Sequence, residues 1–206
     1  MKRIEVEGKI LKILKKRKKG TVLFAEDFLD IGNSSSINKA LSRLAEKNII
    51  VRLAQGIYLY PEVDVNIGVL YPTLDEIAKT IAKRDKSRII PTGDLAFNML
   101  GLTTQIPMNA VYLTDGSPRS IKVGKRSIKF KKTAPKNLSL KGEISSLVIQ
   151  AIKKIGKNNI SEAEIEKIKD VLKKEKPENI SHDIKMCPSW IREIILSLEV
   201  NGEKNE

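Results

Sequence analysis

Near the start of the chain Ile4, Ile10, Leu11, Ile13 and Leu14 fall at helical spacing, predicting a helix over residues 4–18. The basic run of residues 15–19 fills its last turn, where cations complement the helix dipole, and Gly20 stops it. Residues 21–24 are β-branched and apolar enough for a short strand, and residues 25–29 suit a short helix closed by Asp30-Ile31-Gly32-Asn33. Ser34, Ser35 and Ser36 offer N-caps to a second long helix, whose Ile37, Ala40, Leu41, Leu44 and Ala45 repeat at i, i+3, i+4 and i+7. Asn48-Ile49-Ile50-Val51-Arg52-Leu53 and Ile57-Tyr58-Leu59-Tyr60 then flank Ala54-Gln55-Gly56, which predicts a hairpin.

The order of these elements within about sixty residues is that of a winged helix-turn-helix over residues 1–61. The apolar stripe of the helix at residues 34–47 leaves Ser35, Asn38, Lys39 and Ser42 on the opposite face, with Arg43 at its edge. Asn pairs bidentately with adenine, Ser suits several base edges, and Lys and Arg serve guanine or phosphate. A helix so lined suits a major groove, and the hairpin behind it offers Arg52 and Gln55 to the DNA backbone or minor groove.

Pro61 and Pro72 bracket an expected linker. A mixed α/β domain is expected over residues 72–136. It opens on a helix at residues 73–84, where Thr73 and Glu76 form a capping box. A strand at Ile89-Ile90-Pro91 follows, then a helix at residues 93–100 capped by Thr92 and ended by Gly101, and a strand at residues 110–114. Residues 119–131 predict a hairpin with a Gly124-Lys125 turn that pairs Val123 with Arg126, Ile121 with Ile128 and Arg119 with Phe130. Ile121, Val123, Ile128 and Phe130 then share one face, and Ser120, Lys122, Ser127, Lys129 and Lys131 the other, with Lys125 and Arg126 at the tip.

Residues 141–206 read as a helical C-terminal region packed on the second domain. One stripe runs from Ile144 to Ile155 and ends at Gly156, and a capping box at Ser161 and Glu164 opens the next helix. Pro177 closes that segment, and Ser189 begins a last helix. Trp190 is expected to pack between domains rather than to anchor a partner. The fold class expected is α+β.

Charge sharpens this picture. The 206 residues carry a net charge of +13. Residues 1–61 hold +7, residues 62–140 hold +6, and residues 141–206 hold none. A field of one sign confined to two thirds of a chain favours a polyanion, because each cation set against a phosphate releases counterions. From residue 117 to 136 there are eight Lys or Arg and no acid. That is the appearance of a second nucleic-acid or acidic-protein contact, and equally of a strand edge guarded by lysine against sheet-to-sheet pairing.

The search for catalytic chemistry yields little. Walker A, dinucleotide-binding glycine and Gly-x-Ser-x-Gly patterns are absent, and a single His182 and a single Cys187 exclude a closed Cys/His zinc site. Asp75, Glu76 and Asp94 lie at helix starts, where the dipole explains them. The expectation is no enzyme, no metal and no cofactor. Neither a secretory signal nor a membrane span is legible, which fits a cytoplasmic protein.

Two segments, taken together, carry a family resemblance. Gly56-Ile57-Tyr58-Leu59-Tyr60-Pro61 is followed by Pro91-Thr92-Gly93-Asp94-Leu95-Ala96-Phe97-Asn98-Met99-Leu100-Gly101-Leu102-Thr103-Thr104-Gln105-Ile106-Pro107 and by Val111-Tyr112-Leu113-Thr114-Asp115-Gly116. Over roughly residues 5–135 the chain resembles the AbiEi-like antitoxins of abortive-infection systems. That resemblance implies an N-terminal winged helix binding and repressing its own promoter, and a C-terminal part counteracting a nucleotidyltransferase toxin encoded nearby. The DNA residues it implies are those of the helix at 34–47 and the wing at 52–56. A protein-interaction module, its winged helix docking a protein instead of DNA, is the alternative from another class.

Overall fold

The periodicities of the first sixty residues become three helices and a small sheet in the computed structural model, which describes residues 2–200. Helix α1 (Lys2–Leu14) leads to strand β1 (Val22–Phe24), a 3-10 helix (Ala25–Ile31), helix α2 (Ser34–Glu46) and strands β2 (Val51–Ala54) and β3 (Ile57–Leu59). The strands lie in the order β1-β3-β2, with both pairings antiparallel. Ile10 and Leu14 of α1, Leu23, Phe28, the Ile37, Ala40, Leu41 and Leu44 stripe of α2, Ile50 and Tyr58 form one buried core.

The structure departs from the sequence pattern at three places. Helix α1 ends at Leu14, because Lys16 N and Arg17 N bond back three residues to Ile13 and Leu14 and tighten the chain into a turn; the basic run therefore lies in the connection to β1. The cap of α2 is Asn33 rather than a serine: its Oδ1 accepts from Ser36 N at 2.9 Å. The β2–β3 connection is a two-residue Gln55-Gly56 turn, in which Gly56 takes φ 71° and a register shift between Arg52 and Ala54 absorbs the third residue.

The expected linker between Pro61 and Pro72 holds a hairpin of its own, β4 (Glu62–Asp64) with β5 (Gly68–Leu70). Asp64 Oδ1 accepts from Asn66 N at 2.8 Å and Ile67 N at 3.0 Å and closes the turn. Helix α3 (Leu74–Arg84) follows with its capping box intact, Thr73 N to Glu76 Oε2 at 2.7 Å and Glu76 N to Thr73 Oγ1 at 3.1 Å.

The contacts divide the chain into two compact units. One holds residues up to Thr80 together with Lys122–Lys125, and the other holds Ile81–Ile121 and the residues from Arg126 onward. In the second, β6 (Ile89–Thr92), β7 (Asn109–Thr114), β8 (Arg119–Val123) and β9 (Arg126–Lys132) form a sheet in the order β6-β7-β9-β8, with β7 and β9 parallel. Tyr112 and Phe130 pair across that junction, ring centroids 5.9 Å apart. Helix α4 (Asp94–Met99) is shorter than expected and its N-cap is Gly93 at φ 62°. Thr92 stays in β6, its hydroxyl donating to Gln150 Oε1 at 3.1 Å.

Helices α5 (Glu143–Ile155), α6 (Glu162–Leu172), α7 (Pro177–Asp183) and α8 (Ser189–Val200) complete this unit. Pro177 opens α7 instead of closing a segment, since a first helical position needs no amide hydrogen. Every residue of α5 from Ser145 to Ile152 is buried, more than the one-sided stripe implied, because the helix packs against β6 and α4 as well as α6, α7 and α8. Trp190 is half-buried against this core, which includes Ala96, Leu100 and Leu102.

The N-terminus of α5 is held by two distant carboxylates. Asp183 accepts from Lys141 N, Gly142 N and Ser145 Oγ at 2.8, 2.9 and 2.5 Å, and Glu175 accepts from Ile144 N at 2.9 Å and Ser145 N at 3.3 Å. Burial opposes the charge on Asp183. The Ser145 hydroxyl, the His182 ring and the two amides outweigh it and hold the carboxyl below its ordinary range.

Candidate nucleic-acid interface

Because Ile37, Ala40, Leu41 and Leu44 turn one face of α2 into the core, the opposite face is left to solvent. Ser35, Asn38 and Lys39 are exposed, and Ser42 is half-buried beside them. Asn38 makes only a long contact with the Ser34 hydroxyl, 3.4 Å, so its amide is available to other partners. A groove of about 470 Å³ runs between α1 and α2, lined by Glu5, Val6, Lys9, Ser35, Lys39 and Arg43 among others.

Arg43 is placed differently from its neighbours. Its Nε donates to Glu7 Oε2 at 2.9 Å while Lys47 Nζ donates to Glu7 Oε1 at 2.6 Å, so one carboxylate of α1 serves both cations. Hydrogen bonds from Lys47 and Arg43 hold the Glu7 carboxyl below its usual range against the opposing effect of burial.

Arg52 is exposed on β2, opposite Tyr58, and Gln55 is exposed at the turn of the hairpin. The loop after α1 adds what the helix pattern hid: Lys15, Lys16, Lys18 and Lys19 are exposed, whereas Arg17 is half-buried, donates to Asp27 Oδ2 at 2.9 Å and lies 5.6 Å from the Phe28 ring centroid. The run of five cations is plain in the sequence, but at an expected helix end contact with the dipole accounts for it without a ligand.

On the second basic segment Lys122, Lys125, Lys129 and Lys131 are exposed and Arg126 is half-buried, while Ile128 and Phe130 are buried and Ile121 and Val123 half-buried. Lys132 and Lys136 are exposed as well. Arg119 is not part of this free set: it pairs with Asp85 and lies 5.5 Å from the centroid of the Phe130 ring. Strand β8 stands at the edge of its sheet.

The residues weighed for chemistry serve local structure. Asp75 pairs with Lys79 at 2.8 Å, Asp94 pairs with Lys154, and His182 Nδ1 lies 2.8 Å from the buried Asp183 Oδ1. Cys187 is buried, its thiol donates to Ile184 O at 3.2 Å, and burial pushes its pKa up, away from the thiolate. Among the described residues no three His, Cys, Asp or Glu side chains gather as a metal site, and no helix is long and apolar enough to cross a membrane.

These features define an α+β protein with a solvated polar helix face and two basic, acid-poor surfaces. The chain belongs to the DUF6088 family, a family of unknown function, which it matches over residues 9–180. No curated protein matches it.

Proposed function

We propose that the first sixty residues are a winged helix-turn-helix that reads duplex DNA with α2, and that the protein is a transcriptional repressor of its own operon. The observation that carries this reading is the exposed row Ser35, Asn38 and Lys39 on α2, directly followed in the chain by the β2–β3 hairpin with Arg52 and Gln55 exposed. Helix, strand, short helix, helix and hairpin follow one another as a winged helix would have them, and the sheet order β1-β3-β2, which sets the hairpin beside β1, supports that reading. The acid-poor lysine loop at residues 15–19 supplies sequence-independent attraction to phosphate.

The likeness of residues 91–107 and 111–116 to the AbiEi-like antitoxins extends the proposal: the second unit counteracts a nucleotidyltransferase toxin encoded nearby, in the cytoplasm, by binding and without catalysis of its own. Pairing of Arg43 and Lys47 with Glu7 favours the rival reading, in which this face docks a protein, because it removes two cations from the end of α2. Fluorescence anisotropy of the full chain on its own upstream duplex and on a scrambled duplex, at two salt concentrations, separates the readings. Tighter, salt-dependent binding to the upstream duplex is the expected result. Equal, negligible affinity for both duplexes rejects DNA reading in favour of a protein partner.

A further inference from the structure

The β4–β5 hairpin is patterned for burial that the chain does not provide. Val63 stands directly opposite Val69 on one face of the ribbon, Val65 and Ile67 flank Asn66 in the turn that joins the strands, and Tyr71 follows β5, so apolar side chains occupy that face and the tip of the hairpin. Yet Val65 is 99% exposed, Ile67 77%, Tyr71 64% and Val63 59%. The two strands form a sheet of their own, and no third strand joins them. Contiguous exposed apolar surface of this kind marks a contact site.

We infer that this face is the contact between two copies of the chain, packed ribbon on ribbon about a two-fold axis. A self-contact brings a patch against itself, so it cannot be built where one sign of charge dominates. The positive excess lies in residues 1–52 and 79–140, whereas residues 53–78 contain no Lys or Arg and only the acids Glu62, Asp64, Asp75 and Glu76. The apolar series itself carries no charge. Glu62 and Asp64 occupy even positions, which point to the other side of the ribbon, and Asp64 is engaged in its own turn. A partner recognised by charge would need ions on the contact face, and this face offers none.

The area is sufficient for a reversible dimer. Val63, Val65, Ile67 and Tyr71 together expose about 500 Å² per copy, so two facing hairpins bury at most about 1,000 Å², the lower end of specific interfaces. The dimer is therefore concentration-dependent rather than obligate. It does not depend on DNA reading, and either idea can fail without the other.

Sedimentation velocity on the full chain, without DNA and over about a hundredfold concentration range, is the test. The parent shifts from monomer to dimer, and the double substitution Val65→Asp, Ile67→Asp stays monomeric with an unchanged circular dichroism spectrum. A parent that remains monomeric throughout overturns the inference and leaves the face to a different protein; a double variant that dimerises like the parent overturns it as well. Should that variant fail to fold, Ile67→Cys decides, since the native Cys187 is buried. Under mild oxidation Ile67→Cys gives a disulfide-linked dimer at least about tenfold faster than Glu166→Cys on an exposed face of α6, as expected for residues held together. Equal rates reject the contact.

Discussion

Arg43 Nε donates to Glu7 Oε2 at 2.9 Å and ties the last turn of α2 across to α1. The same arginine stands at the edge of the polar face proposed to read DNA, so its effect on binding runs through the position of the helix. Arg43→Ala should lower stability and weaken DNA binding, yet change the salt slope less than Arg52→Ala, whose exposed guanidinium is the one proposed to meet phosphate. Loss of one phosphate contact lowers the slope by about one unit. An Arg43→Ala slope change as large as that of Arg52→Ala would make Arg43 a phosphate ligand.

The carboxylate of that clamp sets a pH dependence. Because the folded value for Glu7 lies below its ordinary one, the stabilisation is complete above the ordinary glutamate range and is lost as pH falls through the folded value. Glu7→Gln should cost about 1 kcal/mol at neutral pH, measured by urea unfolding, and the difference from the parent should shrink in acid. Glu5→Gln, which loosens the exposed pair with Lys9, should cost about 0.5 kcal/mol or less. A Glu7→Gln loss that stays constant with pH would show that the charge is not what matters.

The proposed base reading centres on Asn38. Asn38→Ala should cost about 1 to 3 kcal/mol on the upstream duplex and less on a random one. Equal losses on both would reject a base contact by Asn38.

Local chemistry was legible where the partners are close in sequence. Thr73 with Glu76 and Ser161 with Glu164 are capping boxes that four residues disclose, and both form. The same holds for the α2 core stripe and the outward face of the β8–β9 hairpin. What the chain concealed is carried over distance or by competing signals. Gly142 N meets Asp183 across 41 residues and Ile144 N meets Glu175 across 31, and no periodicity links them. Parallel pairing of β7 with β9 skips β8, which no turn motif announces. The β4–β5 hairpin was hidden by its flanking prolines, although the alternation from Val63 to Tyr71 was there to be read. Pro177 illustrates the same ambiguity, since proline both ends and begins helices.

Those distant caps make the second unit sensitive to single changes. Asp183→Ala leaves the buried Gly142 amide, the part-buried Lys141 amide and the buried Ser145 hydroxyl without their acceptor, and should cost about 3 kcal/mol or more. Since the folded Asp183 carboxyl lies below its ordinary range, its contribution is complete above that range and disappears as pH falls through the folded value. Gly142→Ala should cost about 1 to 3 kcal/mol by overpacking, because its Cβ would collide with Ser145 Oγ and the Glu175 carboxylate. Thermal midpoints measure both. A parent-like Gly142→Ala protein would show that this corner relaxes freely.

The lysines of the β8–β9 hairpin separate binding from edge protection. Lys122, Lys129 and Lys131 are exposed, and the apolar residues behind them, Ile128 and Phe130, are buried. The triple change Lys122→Ser, Lys129→Ser, Lys131→Ser should therefore leave the fold intact, since surface substitutions shift stability by about 0.5 kcal/mol each. It removes three cations from a segment with no acid to offset them, and if that face meets DNA flanks or an acidic protein, several contacts are lost together. Promoter binding, or neutralisation of a neighbouring toxin, should then fall more than about tenfold at moderate salt, with a smaller loss at high salt because exposed charges are already screened there. The edge-protection alternative makes the opposite forecast. Strand β8 ends the sheet, so without its lysines the chain would keep full activity but associate through that edge, visible as a rise in light scattering with concentration.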